Sequence, residues 1–225
     1  MKNTMHAQAV MLLSGGSRAR GFLFPALITD FQKILEGKKN LVAISASRNA
    51  VKTDAAFYGT KESLSVKDQF ASTGIEDFFL LDSRVSPQKA QEKIRHADVI
   101  YLMGGDPLFL LEFLKNEGYD ALLQDFTGVF IGLSAGAMAL AKHAFYSADE
   151  EIPHSFFYPA LGICDLSCDP HFEADEKRIE NTKVMAQTHD IIGLENDACV
   201  MLHADGTLQT FGRVHFFYAS EKEKH

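Results

Sequence analysis

Short apolar runs alternate with amphipathic segments along the first 136 residues of the chain. The amphipathic segment at 22–37 repeats apolar residues every three or four positions, and the segment at 86–97 offers Ser86 as an N-cap before Pro87. Both segments are predicted to be helices. Five runs have the length and composition of strands: 9–14, 40–47, 77–82, 98–105 and 128–136.

The predicted strands are apolar on both faces, and this pattern is typical of a parallel sheet that is covered by helices on both sides. We therefore expect a three-layer α/β fold with a mostly parallel sheet. A chain of 225 residues with 46% hydrophobic content can bury one sizeable core. A single domain over residues 1–225 is the corresponding expectation.

The pattern changes after Ser134. Residues 142–172 look irregular and residues 173–188 are predicted to be helical. Closely spaced strands follow, with a hairpin turn predicted at 204–206. These strands are 191–196, 198–203, 207–211 and 214–220. We expect them to add antiparallel strands to one edge of the sheet.

The charge and the cysteines narrow the classes of function. A formal net charge of -8 disfavours partners such as nucleic acid or an anionic membrane surface, since both require a positive field. The sequence contains no apolar stretch of about 20 residues and no signal peptide, so we expect a cytoplasmic protein. Three cysteines without a C-x-x-C pair suggest neither a disulfide framework nor a zinc site, and no metal or cofactor is expected.

The stretch "GLSAG" at 132–136 is the strongest candidate for chemistry. A G-x-S-x-G between a strand and a helix forces a sharp turn that exposes the serine oxygen. Ser134 is therefore a candidate nucleophile, and the amide of Ala135, at the start of the following helix, can donate to an oxyanion. The alternative is a small residue in an ordinary turn.

A serine nucleophile needs a base and a group that orients the base. His171 follows Pro170 in a predicted loop and is the candidate base. Asp149 and Glu150 belong to a run of three carboxylates, 149–151, and are candidate orienting acids. Without such roles these residues would be ordinary solvated side chains.

Together these motifs resemble the dipeptidase E and cyanophycinase family of serine peptidases. The resembling segments are "MLLSGG", "IYLMGGDPLFLLEFL", "GLSAGAMAL", "DPHF" and "IIGLENDACVML". Ser134, Asp149 and His171 also occur in the family's order, at intervals that need no gap relative to dipeptidase E. The resemblance implies a class I glutamine amidotransferase-like, flavodoxin-like fold.

The resemblance also implies roles for individual residues. Ser134 corresponds to the nucleophile, His171 to the general base that later protonates the leaving amine, and Asp149 to the group that holds the imidazole. Glu150 and Glu195 are the alternative acids. The backbone amides of Gly105 and Ala135 correspond to the oxyanion hole, and Asp106 stands where the family more often has Asn.

The resemblance implies a serine exopeptidase that acts on short peptides through an acyl-enzyme. Dipeptidase E prefers an N-terminal aspartate, whose carboxylate pairs with arginine beside the helix after the histidine. Here that helix carries several acidic residues and Arg178 as its one arginine, so strict Asp-X specificity is doubtful. Arg18 and Arg20, in a glycine-rich loop, could also face the substrate.

Other functions are weighed against this one. An α/β-hydrolase is disfavoured because only 37 positions separate Ser134 from His171, and glutamine amidotransfer is disfavoured because no cysteine lies at the turn. A noncatalytic relative that binds a small molecule, and an esterase with the same triad, remain open. The sequence leaves the oligomeric state open as well.

Overall fold

The computed structural model describes residues 5–16, 25–148 and 152–219. Within these ranges the strands are β1 (Ala9–Leu13), β2 (Asn40–Ala46), β3 (Asp77–Leu81), β4 (Val99–Gly105), β5 (Val129–Leu133), β6 (His143–Tyr146), β7 (Phe156–Pro159), β8 (Ser167–Pro170), β9 (Ile191–Leu194), β10 (Cys199–His203), β11 (Leu208–Phe211) and β12 (Val214–Phe217).

The helices of the same ranges are α1 (Pro25–Ile34), α2 (Ala50–Tyr58), α3 (Val66–Phe70), α4 (Pro87–Arg95), α5 (Pro107–Asn116), α6 (Tyr119–Gln124), α7 (Ala135–Leu140) and α8 (Glu176–Met185), with a 3-10 turn at Ala71–Thr73. The Ser86 side chain caps α4 and Pro87 occupies its first turn, as predicted. In the part of the chain that the structure describes, no helix has the length and apolar character needed to cross a bilayer.

A seven-stranded sheet forms the centre, in the order β11-β10-β1-β5-β4-β2-β3. The five strands from β1 to β3 in this order are parallel to one another. β10 pairs antiparallel with β1, and β11 pairs antiparallel with β10. The mostly parallel sheet and its antiparallel C-terminal edge were both predicted, and both are confirmed.

Alternate residues of the central strands face two separate cores. Val10 and Leu12 of β1 belong to a core that includes side chains of α4 to α7. Met11 and Leu13 belong to a second core on the opposite face, which includes side chains of α1 to α3. Burial on both faces explains the continuous apolar runs and confirms the three-layer fold.

Residues 142–172 are not irregular as predicted, because they contain β6, β7 and β8. β6 and β7 form a hairpin, whereas β8 pairs in parallel with β9, and β9 pairs antiparallel with β12. Only β10 and β11 therefore extend the central sheet, and β9 and β12 join a separate three-stranded sheet. β8 ends directly before His171.

Candidate active site

Ser134 lies between β5 and α7 in a strained backbone conformation. Its φ is 50° and its ψ is -112°, a positive φ that non-glycine residues rarely adopt. The following turn needs a glycine, because a Cβ on Gly136 would lie 2.1 Å from the carbonyl oxygen of Leu102. The strand-turn-helix context predicted for "GLSAG" is present, and the Ser134 side chain makes no capping hydrogen bond to α7.

His171 meets Ser134 across the end of the sheet. The Nε2 atom of His171 lies 3.0 Å from Ser134 Oγ, within hydrogen-bond distance. His171 itself has a φ of 56° and an exposed side chain. The structure thus brings together two of the three residues predicted for a triad.

The third position is held by a residue that the sequence analysis did not name. Asn196 Oδ1 lies 2.7 Å from His171 Nδ1. With the Nδ1 hydrogen donated to this oxygen, Nε2 carries a lone pair that can accept the Ser134 hydroxyl hydrogen. This is the tautomer that a general base requires.

Asn196 is presented by a tight turn after β9. Asp197 has a φ of 64°, and the Ala198 amide donates to the Glu195 carbonyl at 3.0 Å. The Asp197 amide donates to the Gly15 carbonyl at 2.8 Å, which fixes the turn against the end of β1. The sequence offered one signal for Asn196: it is a hydrogen-bonding residue just after a predicted strand. That strand, β9, pairs with β8, which leads into His171.

Of the acids predicted to orient His171, Glu195 is the one that lies among the described residues, and it is not at His171 Nδ1. Glu195 instead contacts His215 Nε2 at 2.9 Å and Arg213 at 3.6 Å, so this alternative is corrected. Asp149 and Glu150 lie outside the described residues, as do Arg18 and Arg20. In the described part of the chain an amide oxygen therefore occupies the position for which a carboxylate was predicted.

The predicted oxyanion donors belong to two neighbouring elements. Ala135 is the first residue of α7, where amides have no acceptor within the helix. Gly105 ends β4, the strand beside β5, and has a φ of 148°. Asp106 follows it as the N-cap of α5, accepting from the amides of Leu108 and Phe109 at 3.0 Å each.

Arg178, predicted to bind substrate, is engaged within the chain. Its Nε and Nη2 atoms donate to the two carboxylate oxygens of Asp169 at 3.0 and 2.7 Å. The Asp169 side chain is only 3% exposed, and burial raises its pKa although the bonds and charge of Arg178 lower it. The guanidinium also lies 5.9 Å from the centre of the Phe172 ring.

All three cysteines are buried and free. Burial raises the pKa of each thiol, that of Cys164 to about 12. Because the thiolate is the reactive form, these cysteines are poor nucleophiles. The hydroxyl of Ser134, which lies beside His171, is the candidate nucleophile of this site.

Comparison with known sequences identifies relatives over most of the chain. A model of peptidase family S51 matches residues 10–210. An uncharacterized peptidase of Listeria monocytogenes is 27% identical over 158 residues, which cover 65% of this chain and 71% of that protein. An uncharacterized peptidase of Listeria innocua is 33% identical over 86 residues, 35% of this chain and 41% of that protein.

Two solved structures share the fold. A peptidase from an acI-B1 Actinobacterium superposes with a TM-score of 0.64 at 21% identity, over 98% of both chains. A protein assigned as a peptidase E, from Listeria monocytogenes, superposes with a TM-score of 0.60 at 23% identity, over 95% of this chain and 99% of its own. The resemblance drawn from the sequence motifs is confirmed at the level of family and fold.

Proposed function

This chain belongs to peptidase family S51, and we propose that it is a serine exopeptidase that hydrolyses short peptides through an acyl-enzyme. The observation that carries the proposal is the 3.0 Å distance between Ser134 Oγ and His171 Nε2. The strained backbone of Ser134 supports the same role, since such strain is concentrated at functional sites.

In the proposed reaction, Ser134 Oγ attacks the peptide carbonyl carbon while its proton passes to His171 Nε2. The amides of Ala135 and Gly105 donate to the oxygen as it becomes negative. The C–N bond then breaks, and His171 returns the proton to the leaving amine. A water molecule, deprotonated by His171, hydrolyses the resulting ester and regenerates the serine.

Asn196 holds the imidazole during both steps. Its amide oxygen accepts the Nδ1 hydrogen and so selects the tautomer, as asparagine does in Cys-His-Asn peptidases. Because the amide is neutral, it stabilises the imidazolium through a dipole rather than a full charge. We propose that the working set is Ser134, His171 and Asn196.

The proposed substrates are short peptides without a strict requirement for N-terminal aspartate. The two hydrogen bonds from Arg178 to Asp169 already occupy the Nε–Nη2 edge of the guanidinium, one of the edges through which it can bind a carboxylate bidentately. At this edge a substrate carboxylate would have to displace the buried carboxylate of Asp169. Selection of aspartate through Arg178 is therefore expected to be weak.

A substrate panel tests the proposal. Dipeptides and p-nitroanilides with Asp, Glu, Leu or Ala at the N-terminus are assayed with the wild type and with Ser134→Ala and Arg178→Ala. We expect hydrolysis of several amides and a loss of at least about 10³-fold in Ser134→Ala. The preference for Asp should stay below about 100-fold, because the bidentate contact that would supply a few kcal/mol of selection is already made with Asp169.

Four results would count against the proposal. Ser134→Ala with wild-type turnover would exclude the serine mechanism. Cleavage of matched esters but of no amide would indicate an esterase, and binding without turnover would indicate a noncatalytic relative. An Asp preference above about 100-fold that disappears in Arg178→Ala would show that the arginine selects the substrate despite Asp169.

A further inference from the structure

Ser14 is a buried serine directly after β1, with no exposed surface. Its Oγ donates to the Leu194 carbonyl at 2.9 Å and accepts the backbone amide of His171 at 2.8 Å. One hydroxyl therefore connects three segments: the end of β1, the histidine, and the end of β9 that leads to Asn196. Its donor and an acceptor site are both used within the protein.

The backbone of His171 needs this support. A non-glycine residue at a φ of 56° is strained and keeps that conformation only when its surroundings hold it. The neighbouring amide of Phe172 donates to Leu194 O at 2.9 Å, the same carbonyl that accepts from Ser14. The amide of His171 has its own acceptor in Ser14 Oγ, and this bond fixes the peptide plane from which the imidazole projects.

We propose that Ser14 is a positioning residue for His171, acting through the backbone amide. The hydroxyl holds the imidazole so that Nε2 stays 3.0 Å from Ser134 Oγ while Nδ1 stays on Asn196. This inference rests on the proposed serine peptidase function. It assigns to the serine of "MLLSGG" a part in catalysis without contact with the substrate.

Ser14→Ala removes the hydroxyl, and Ser167→Ala is its matched control. Ser167 is also buried, and its Oγ donates to the His143 carbonyl at 2.6 Å, but it lies at the opposite end of β8 from His171. Each variant loses one buried hydroxyl from the same region of the fold. They differ in whether that hydroxyl bonds the histidine.

We expect Ser14→Ala to lower kcat about 10- to 100-fold, since a displacement of about 1 Å can cost about 10²-fold. KM of Ser14→Ala should stay within about threefold, because Ser14 does not touch the substrate. Ser167→Ala should keep kcat within about twofold, because the Ser167 hydroxyl bonds the His143 carbonyl and not His171. Circular dichroism and thermal unfolding of both variants verify that they are folded. Equal kcat in Ser14→Ala and the wild type would overturn the proposal.

A double-mutant cycle distinguishes positioning of His171 from a general structural effect. In a His171→Ala background, Ser14→Ala should leave the residual rate unchanged, because the imidazole that it positions is gone. If Ser14→Ala lowered the rate by the same factor in the wild-type and His171→Ala backgrounds, the proposal would be overturned. If His171→Ala itself had wild-type activity, the proposed function would fail, which is a different outcome.

Ser14→Cys guards against a failure of Ser14→Ala to fold. The thiol is of similar shape but a weak donor and acceptor, so we expect a smaller loss of kcat, of about three- to tenfold. The same kcat, KM and double-mutant measurements apply to it. A Ser14→Cys variant with the kcat of the wild type would overturn the proposal.

Discussion

Asn196 supplies a neutral acceptor to His171 where a carboxylate was predicted from the sequence. Removing it in Asn196→Ala leaves the imidazole without the bond that selects its tautomer. We expect kcat to fall about 10- to 100-fold, less than the about 10⁴-fold loss when an orienting group enforces the wrong tautomer. Steady-state kinetics on the best amide substrate would measure this loss.

Asn196→Asp tests the same residue in the opposite direction. A carboxylate beside Nδ1 stabilises the imidazolium, which cannot act as a base. As the pH is lowered, this variant should therefore lose activity at a higher pH than the wild type, and the acid limb of kcat/KM should move to higher pH. Glu195→Gln, in the same turn but bonded to His215, is the matched control and should leave the limb in place. If Glu195→Gln lost most of its activity and Asn196→Ala kept that of the wild type, the assignment of Asn196 as the residue that orients His171 would be wrong.

The sequence indicated Ser134 and His171 because each stands in a local motif, a strand-turn-helix and a loop after proline. Asn196 could not be found in this way. Its side chain reaches His171 because Asp197 adopts a positive φ and Gly15 accepts the Asp197 amide, and both are tertiary features. A search confined to carboxylates chose Asp149 and named Glu195, one position away from Asn196, only as its last alternative; the Glu195 side chain bonds His215.

Among the secondary-structure elements, α5 provides a test of helix capping next to the site. Asp106 caps two amides of α5, directly after Gly105. Asp106→Ala should lower the free energy of unfolding by about 0.5–2 kcal/mol, the usual cost of losing an N-cap. Asp106→Asn should retain most of that stability, because asparagine caps equally well.

Urea denaturation, with kinetics on the same samples, measures both variants. If capping is the role of Asp106, Asp106→Asn keeps wild-type stability and kcat/KM together. A variant with intact stability but a large loss of kcat/KM would show that the charge acts on the substrate. The capping geometry explains why aspartate can stand where the family more often has asparagine.

The elements that were predicted correctly carry their own local signals. α4 is capped by Ser86 and has Pro87 in its first turn, and β1, β2, β4 and β5 are apolar runs because both of their faces are buried. The prediction for 142–172 was wrong because its strands have weak local signals: β8, for example, ends in Asp169 and Pro170, residue types that are depleted in strands. β8 is defined by pairing with β9, more than 20 residues later, which no local pattern reveals.

In the molecule as a whole, one end of the central sheet carries the candidate active site and the other carries hydrogen bonds that stabilise the fold. Ser14 and Ser134 follow the carboxyl ends of β1 and β5. His171 bonds both serines, and these bonds attach the three-stranded sheet of β8, β9 and β12 to the carboxyl end of the central sheet. Open parallel sheets commonly place their sites there. The opposite end is held by Asp98, whose Oδ2 accepts the amides of Lys39 and Asn40 at 2.8 and 3.0 Å.

Asp98 should make the stability of the fold depend on pH without affecting catalysis. Burial raises the pKa of Asp98, but the hydrogen bonds from Lys39 and Asn40 outweigh burial and leave the pKa below its usual 3.8. A lowered pKa in the folded state means that the stabilisation is complete above the unfolded value and is lost as the pH falls through the folded one. Asp98→Asn should therefore cost about 1–2 kcal/mol at pH 7, and less below about pH 3.5.

Urea denaturation of the wild type and Asp98→Asn at pH 7 and pH 3 measures the difference in their free energies of unfolding. Because the two proteins share all other carboxylates, the contributions of those groups cancel in this difference. The gap in free energy of unfolding should narrow at the lower pH, while kcat/KM at pH 7 stays the same in both, because Asp98 lies at the end of the sheet away from Ser134. A gap that is constant or larger at pH 3 would mean that the charge of Asp98 does not stabilise the fold. A loss of kcat/KM at pH 7 would mean that the two ends of the sheet are coupled.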